Sequence, residues 1–533
     1  MTPRSRRAIA GVVLAAALSA LLFVVLGGGP ARVNSPVAAA GVDLGAGGEF
    51  HPLEPSRILD TRRWDSSPSM TPDGASLVVD VVGRGGLPSF VDADGDGFDD
   101  HVLAVAVNIT VVDPDAAGFL SAAGVGLVAG ESSIVNFLAH DDVPNAAILR
   151  PGLGGRLEFT LTAPWIDAGS ADVLVDVFGW FSTSLVMERG ARLAPVTPYR
   201  VLDTRRIDAP LGPAEAIEVP IRGRAGVPDD ASVVGVVVNL TAVNDLAASQ
   251  DTYLSVVPEL PHGVPSTSTL NLHAGTIRPV GAIVPLGPDG SVAVFNRSGD
   301  VHVLVDVMGY LIDGADASSR AGRVVPLTAP YRMIDSRQAQ FGGQPFGPGR
   351  AEDWSMDAFI ASVSVEGEWL GPQSAVIGNV TAASLRTDAS IAVSSSFVTV
   401  APADAALPDA SLLNVVAGRD VANFALLAYG PSADADAAVT LQNAFGYVDL
   451  IVDAAAVVLG EWPEMPATTS TTTSTSTTSS TSTSSTTSTT SPDTTTSTSS
   501  TSTSTTTSTT STSTSTSSSL PPISVSPAAQ RYP

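Results

Sequence analysis

The chain has 533 residues, 44% of them hydrophobic, which is too long for a single core at roughly 100–200 residues per domain and predicts several globular domains. It has no cysteine, which excludes disulfides, thiolate nucleophiles and cysteine-ligated metals, and all 27 of its basic residues are arginine, which excludes lysine Schiff bases and lysine crosslinks. A formal net charge of -26 excludes nucleic acid as an expected partner and disfavours anionic lipid surfaces.

At the start of the chain, Arg4, Arg6 and Arg7 precede an apolar run from Ala8 to Leu26, the pattern of an export signal. Ala38 to Ala40 offer a small-residue cleavage site, while the run itself approaches the ~20 residues that span a bilayer. Residues 1–40 therefore read as a signal peptide or signal anchor, and arginines on the inner side place the remainder outside the membrane in either case. An extracellular or cell-surface location follows, with membrane contact only through this segment if it is left uncleaved.

Beyond it the chain repeats itself three times. PSRILDTRR at 55–63 returns as PYRVLDTRR at 198–206 and as PYRMIDSRQ at 330–338. Further landmarks keep the same order: Asn108, Asn239 and Asn379, then Asn136, Asn271 and Asn414, then closing segments that carry Asp176, Asp306 and Asp453. A period of roughly 130–140 residues is far longer than a propeller blade or solenoid turn, so each copy is expected to close its own core as an independent bead. The boundaries read as 41–185, 186–320 and 321–462.

Within a copy, runs such as SLVVDVVG, AVAVNITVV and VLVDVFGWF are short, β-branched and bounded by Gly, Pro, Asp and Asn. About eight such runs per copy, without sustained helical periodicity, predict an all-β chain of three tandem antiparallel β-sandwich domains, jelly-roll-like, with a barrel as the alternative. Residues 463–533 contain an almost pure Ser/Thr segment at 468–519 that has nothing apolar to bury and reads as a disordered tail. Held extended, it would reach ~160 Å at about 3.1 Å per residue.

The opening Pro-x-Arg-x-Leu-Asp-Thr-Arg and the closing Val-Asp-Val-x-Gly-Tyr of these copies resemble a repeat module of secreted surface proteins of actinobacteria, over residues 50–460. That resemblance implies a secreted or surface location and assigns no activity.

Charged residues inside apolar strands need partners, because an unpaired buried charge costs several kcal/mol. Arg57, Arg200 and Arg332 of the opening motifs are expected to pair with Asp176, Asp306 and Asp453 of the closing strands, tying each domain's ends together. Asp60, Asp203 and Asp335, with Arg62 and its counterparts, have the alternative chemistry of a repeated site for sugar hydroxyls or carboxylates. Asn108, Asn239 and Asn379 match the N-glycosylation pattern but fall within strands, where bonding to neighbouring backbone is expected.

Measured against repeat 2, repeat 1 carries a nine-residue insertion that contains the aspartates of VDADGDGFDDH at 91–101. Asp92, Asp94, Asp96 and Asp100 occupy positions 1, 3, 5 and 9 of a calcium loop, with Gly97 at the turn and the Phe98 carbonyl facing inward. Leu103 replaces the glutamate of position 12, so another ligand must come from Asp99 or water, and weak Ca2+ affinity is expected. A single site in one copy fits a brace for a long loop better than a sensor.

No zinc-protease, nucleophile-elbow, phosphate-loop or dinucleotide motif is present. The sequence is thus expected to be a non-enzymatic extracellular surface or cell-wall-associated protein, whose three domains bind cell-wall polysaccharide, a surface protein or one another, with avidity explaining the repetition. The alternatives are a secreted glycan-active hydrolase, for which a carboxylate pair in one cleft would speak, and a self-assembling layer protein.

Overall fold

The computed structural model describes residues 43–461 except 64–68, 72–75, 129–131, 164–168, 316–317, 366–367 and 387–393. The expected leader and the Ser/Thr-rich tail lie outside the described residues. Repeat 1 contains β1 (Phe50–Asp60), β2 (Ser76–Asp80), β3 (Val102–Val112), β4 (Gly118–Gly124), β5 (Val135–Phe137), β6 (Val143–Leu149), β7 (Arg156–Thr162) and β8 (Asp172–Ser182). They form two antiparallel sheets in the orders β1-β8-β3-β6 and β2-β7-β4-β5, so that the chain crosses between sheets at nearly every connection, as in an eight-stranded jelly roll.

Repeat 2 has the same plan with β9 (Arg192–Asp203), β10 (Glu215–Pro220), β11 (Val233–Asn244), β12 (Thr252–Val257), β13 (Leu270–Leu272), β14 (Thr276–Pro285), β15 (Ser291–Asn296) and β16 (His302–Ile312). Its sheets run β9-β16-β11-β14 and β10-β15-β12-β13. Repeat 3 has β17 (Val324–Asp335), β18 (Ala351–Ser355), β19 (Ser364–Val365), β20 (Glu368–Trp369), β21 (Gln373–Arg386), β22 (Ser395–Pro402), β23 (Leu413–Val416), β24 (Val421–Ala428), β25 (Ala438–Asn443) and β26 (Tyr447–Leu459). Its sheets run β17-β26-β21-β24 and β18-β25-β22-β23, and the β19–β20 hairpin follows a short helix at Asp357–Ser362. The chain is therefore all-β, with three tandem antiparallel jelly-roll sandwiches.

The two sheets of each repeat differ in what covers them. β7 alternates half-buried and buried residues, as expected for a sheet with one face to water, whereas β3 is buried from Val102 to Val111 without a break. Val105, Val107, Ile109 and Val111 fill the core of repeat 1, while Ala104 and Ala106 from the opposite face enter a second cluster shared with repeats 2 and 3. In β11, Val236, Val238 and Leu240 face their own core and Val237 joins the shared cluster. Ile148, Ile283 and Leu426, from β6, β14 and β24, meet there.

The expectation of independent beads is therefore corrected: the repeats form one compact unit, because the inner sheet of each is apolar on both faces and each repeat covers the outer face of another. The starts of the opening strands join in the same way. Gly48 donates to Val324, Phe50 to Ala191 and Leu193 to Gly322, linking repeats 1 and 3, 1 and 2, and 2 and 3. Glu49 binds Arg189, Arg192 and Arg323 at this junction, and although its burial opposes ionisation, the hydrogen bond and charge of Arg189 hold its carboxyl below the usual range.

Candidate functional site

Two sets of polar residues recur three times, and their geometry decides what each can do. Strand register places Arg57 opposite Asp176, Arg200 opposite Asp306 and Arg332 opposite Asp453. Arg57 donates through Nε and Nη2 to Asp176 at 2.8 and 2.9 Å. The corresponding distances are 2.7 and 2.9 Å from Arg200 to Asp306 and 2.5 and 3.1 Å from Arg332 to Asp453. Burial pushes the Asp306 and Asp453 carboxyls up, and the paired arginines pull them back.

A second rung adjoins each pair. Asp60 accepts a fork from Arg62, Asp203 one from Arg205 and Asp335 one from Arg337, all at 2.8 to 2.9 Å. Arg62 holds the Asp60 carboxyl below the usual range; Asp203 is lowered too, the pull of Arg205 overcoming its burial, and Arg337 holds Asp335 down to about 2. Asp60, Asp203 and Asp335 are thus buried and taken up by their arginines rather than free for a ligand, and the set ties the first strand of each sandwich to its last.

The asparagines of the VNxT segments reach farther than neighbouring backbone. Asn108 of repeat 1 donates to the carbonyls of Ser268 and Thr269 in repeat 2, at 3.0 and 3.3 Å. Asn239 of repeat 2 donates to Ser411 of repeat 3, and Asn379 of repeat 3 donates to Ser133 of repeat 1, both at 2.7 Å. The order 1 to 2, 2 to 3, 3 to 1 closes on itself. These side-chain nitrogens are engaged in inter-repeat contacts, which opposes the glycosylation reading.

Two of the three contacts carry a further lock. Asn145 donates to the Oδ1 of Asn379 at 3.0 Å, and Asn423 donates to the Oδ1 of Asn239 at 2.9 Å. Asn145 and Asn423 hold the same register position in β6 and β24, and in β14 that position is Val280. The Oδ1 of Asn108 is accordingly buried without a hydrogen-bond partner. A double-mutant cycle of Val280→Asn with Asn108→Ala is expected to show a coupling of about 1 kcal/mol, the net value of one buried hydrogen bond, in denaturant titrations. Additive effects would contradict this pairing.

Each inter-repeat contact borders a cleft. The clefts between repeats 2 and 3 and between repeats 3 and 1 have volumes of about 10 and 40 Å3, and Met308 lines the former. The cleft between repeats 1 and 2, where the asparagine lock is missing, has about 370 Å3. Leu53 and Phe178 of repeat 1 line it together with Val257, Ile283 and Leu286 of repeat 2. Its carboxylates are Glu54, which is exposed, and Asp176, which Arg57 already holds. This cleft escaped the sequence reading because its walls come from two repeats; the substitution of Val280 for the recurring asparagine is the trace it leaves.

In the inserted loop, Asp92, Asp94 and Asp96 bring one carboxylate oxygen each within 4.8 Å of one another. Gly97, at φ 89°, makes the turn, and its N–H and that of Gly95 bind Asp92. The Asp94 carboxyl lies above its usual range: the N–H of Asp96 opposes this, but partial desolvation and the charges of Asp96, Asp100 and Asp92 raise it. Asp96 Oδ2 is buried without a partner. Asp100, also buried, accepts from the Ala93 N–H. Asp99 does not complete the set, since it accepts the N–H groups of Val91, His101 and Val102, and Leu103 lies in the core.

No family model matches the chain. No curated protein matches it. Among solved structures it is similar to an archaeal-virus protein described by its triple jelly-roll fold and turret assembly, at 8% identity and a TM-score of 0.15, over 78% of this chain and 91% of that one. It is also similar to the tandem CBM22-1–CBM22-2 domain of Paenibacillus barcinonensis Xyn10C, at 10% identity and a TM-score of 0.14, over 49% and 98% of the two chains.

Proposed function

We propose that this is a non-enzymatic extracellular surface or cell-wall-associated protein in which the three jelly rolls act together as one binding head. The observation that carries the reading is the 370 Å3 cleft between repeats 1 and 2, open where the two equivalent clefts are closed. In place of three flexible sites acting by avidity, the head offers one cleft built from two repeats. Residues 1–40 serve as export signal or anchor and the Ser/Thr-rich tail as a spacer, in keeping with the resemblance to secreted actinobacterial repeat proteins.

The partner is cell-wall polysaccharide or a surface protein. A glycan hydrolase would need two carboxyl groups free to act on the substrate, and among the described residues the cleft offers Glu54 alone, Asp176 being held by Arg57. Cosedimentation of the full-length secreted protein with purified cell wall, blanked against its self-pelleting, tests the reading. Wall-dependent pelleting is expected, and its absence would overturn wall binding.

Ca2+ belongs to the inserted loop in this proposal, held by Asp92, Asp94, Asp96, the Phe98 carbonyl and Asp100, with water for the rest. The like charges at Asp94 and the unpartnered oxygen of Asp96 suit a cation there. The loop is already fastened by Thr183 to Asp100 and by Gly154 to Gly97, so the ion braces it rather than creating it. With affinity in the ~10⁻⁴–10⁻³ M range of extracellular sites, 10 mM calcium is expected to add about 1.4–2.7 kcal/mol of stability, measured by unfolding. Asp94→Asn should abolish that gain; an equal gain in the variant would place the ion elsewhere.

A further inference from the structure

We infer that the cleft between repeats 1 and 2 takes a neutral, hydroxyl-bearing ring, a saccharide unit, and this rests on the reading of the head as a binding module. Volume separates the three clefts first. A water needs about 10–15 Å3, so the clefts of 10 and 40 Å3 hold one to a few waters, whereas 370 Å3 lies within the ~300–1,000 Å3 of small-molecule sites.

Charge decides the next point. Among the described residues no arginine lines this cleft, and Arg57, which neighbours it, is committed to Asp176 and Asp60. An acidic ligand would therefore meet Glu54 with no counter-charge, in a chain of net charge -26. A wholly apolar ligand fits no better, because the repeat 2 wall carries Ser255, Thr267 and Ser268. Ser255, itself buried, donates its hydroxyl hydrogen to the Thr267 carbonyl at 2.6 Å, and Asn108 Oδ1, which also lines the cleft, is an acceptor with no hydrogen-bond partner. The wall thus calls for a ligand rich in donors, and sugar hydroxyls supply them.

Apolar surface accounts for the rest. Phe178, half-buried, offers an aromatic ring to the C–H face of a sugar, and Pro52, Pro55, Pro258 and Pro285 are rigid rings that lose no rotamer freedom on binding. Such a site is pre-organised by the docking of repeat 1 onto repeat 2, so it belongs to the assembled head and to neither repeat alone.

The test is calorimetric titration of the full-length protein with maltose, cellobiose and N,N′-diacetylchitobiose, and with digalacturonate as the anionic counterpart. Saturable one-to-one binding of at least one neutral disaccharide is expected, weakened tenfold or more by Phe178→Ala and lost in Val257→Trp, whose half-buried position at the cleft wall lets the indole fill it. No neutral disaccharide reaching saturation, digalacturonate binding equally well, or unchanged binding in Val257→Trp would each overturn the inference. Wall pelleting separates the two failures: a Val257→Trp protein that still pellets fully with cell wall defeats the saccharide cleft and spares the binding head, and a wild type that binds a disaccharide without pelleting defeats wall binding and spares the cleft.

Discussion

Replacing Asp306 with alanine is expected to destabilise the head by about 3–5 kcal/mol in denaturant unfolding, the largest effect of any single charge removal in the three ladders. The cause is the guanidinium left behind. Arg200 has a side chain 9% exposed and Asp306 one that is 1% exposed, so the arginine would be stranded with only Asp203, at 3.7 Å and already bound by Arg205, to answer it. Arg57 is 24% exposed, so water reaches it and Asp176→Ala should cost clearly less. Exchanging both partners, Arg200→Met with Asp306→Leu, should recover most of the loss, since two apolar groups strand no charge. A loss below about 1 kcal/mol for Asp306→Ala would show that the pair does not hold the sandwich closed.

Phe424→Ala is expected to cost a similar ~3–5 kcal/mol, but through packing between repeats. Phe424 lies in β24 at 2% exposure, and its backbone N–H donates to Asn145 of repeat 1 at 2.8 Å. Its ring packs on Gly281 of repeat 2, where an added Cβ would stand 2.6 Å from Cδ1 of the phenyl ring and 2.9 Å from the Phe424 carbonyl oxygen. Gly281→Ala should therefore destabilise on its own and do so less when Phe424 is already alanine, a coupling readable in a double-mutant cycle. Additive effects, or a Phe424→Ala cost under 1 kcal/mol, would mean that the central strands do not depend on one another.

Much of this architecture was legible because it is local to one repeat. The recurrence of PSRILDTRR and its variants marked three copies, and β-branched runs broken by Gly, Pro and Asp marked the strands. The partnership of Arg57 with Asp176 was legible because two recurring opposite charges in apolar strands of one domain have few other answers. The closure of the three repeats was not, because the partner of Asn108 is Ser268 and no rule of spacing links them. One trace was present all the same. The unbroken apolar run of β3 against the alternation of β7 signals a sheet buried on both faces, which an isolated bead has no means to provide. In the acidic loop, the spacing singled out Asp92, Asp94 and Asp96, whose carboxylates the fold does bring together, but it could not show that Asp99, expected as a further ligand, is taken up by three backbone N–H groups.

The apolar cluster shared by the three jelly rolls makes them one cooperative body. Differential scanning calorimetry of the full-length protein tests it most directly. A single transition whose calorimetric and van't Hoff enthalpies agree is the predicted result, shifted as a whole by Phe424→Ala in repeat 3. Three separable transitions, with Phe424→Ala moving only one of them, would contradict it.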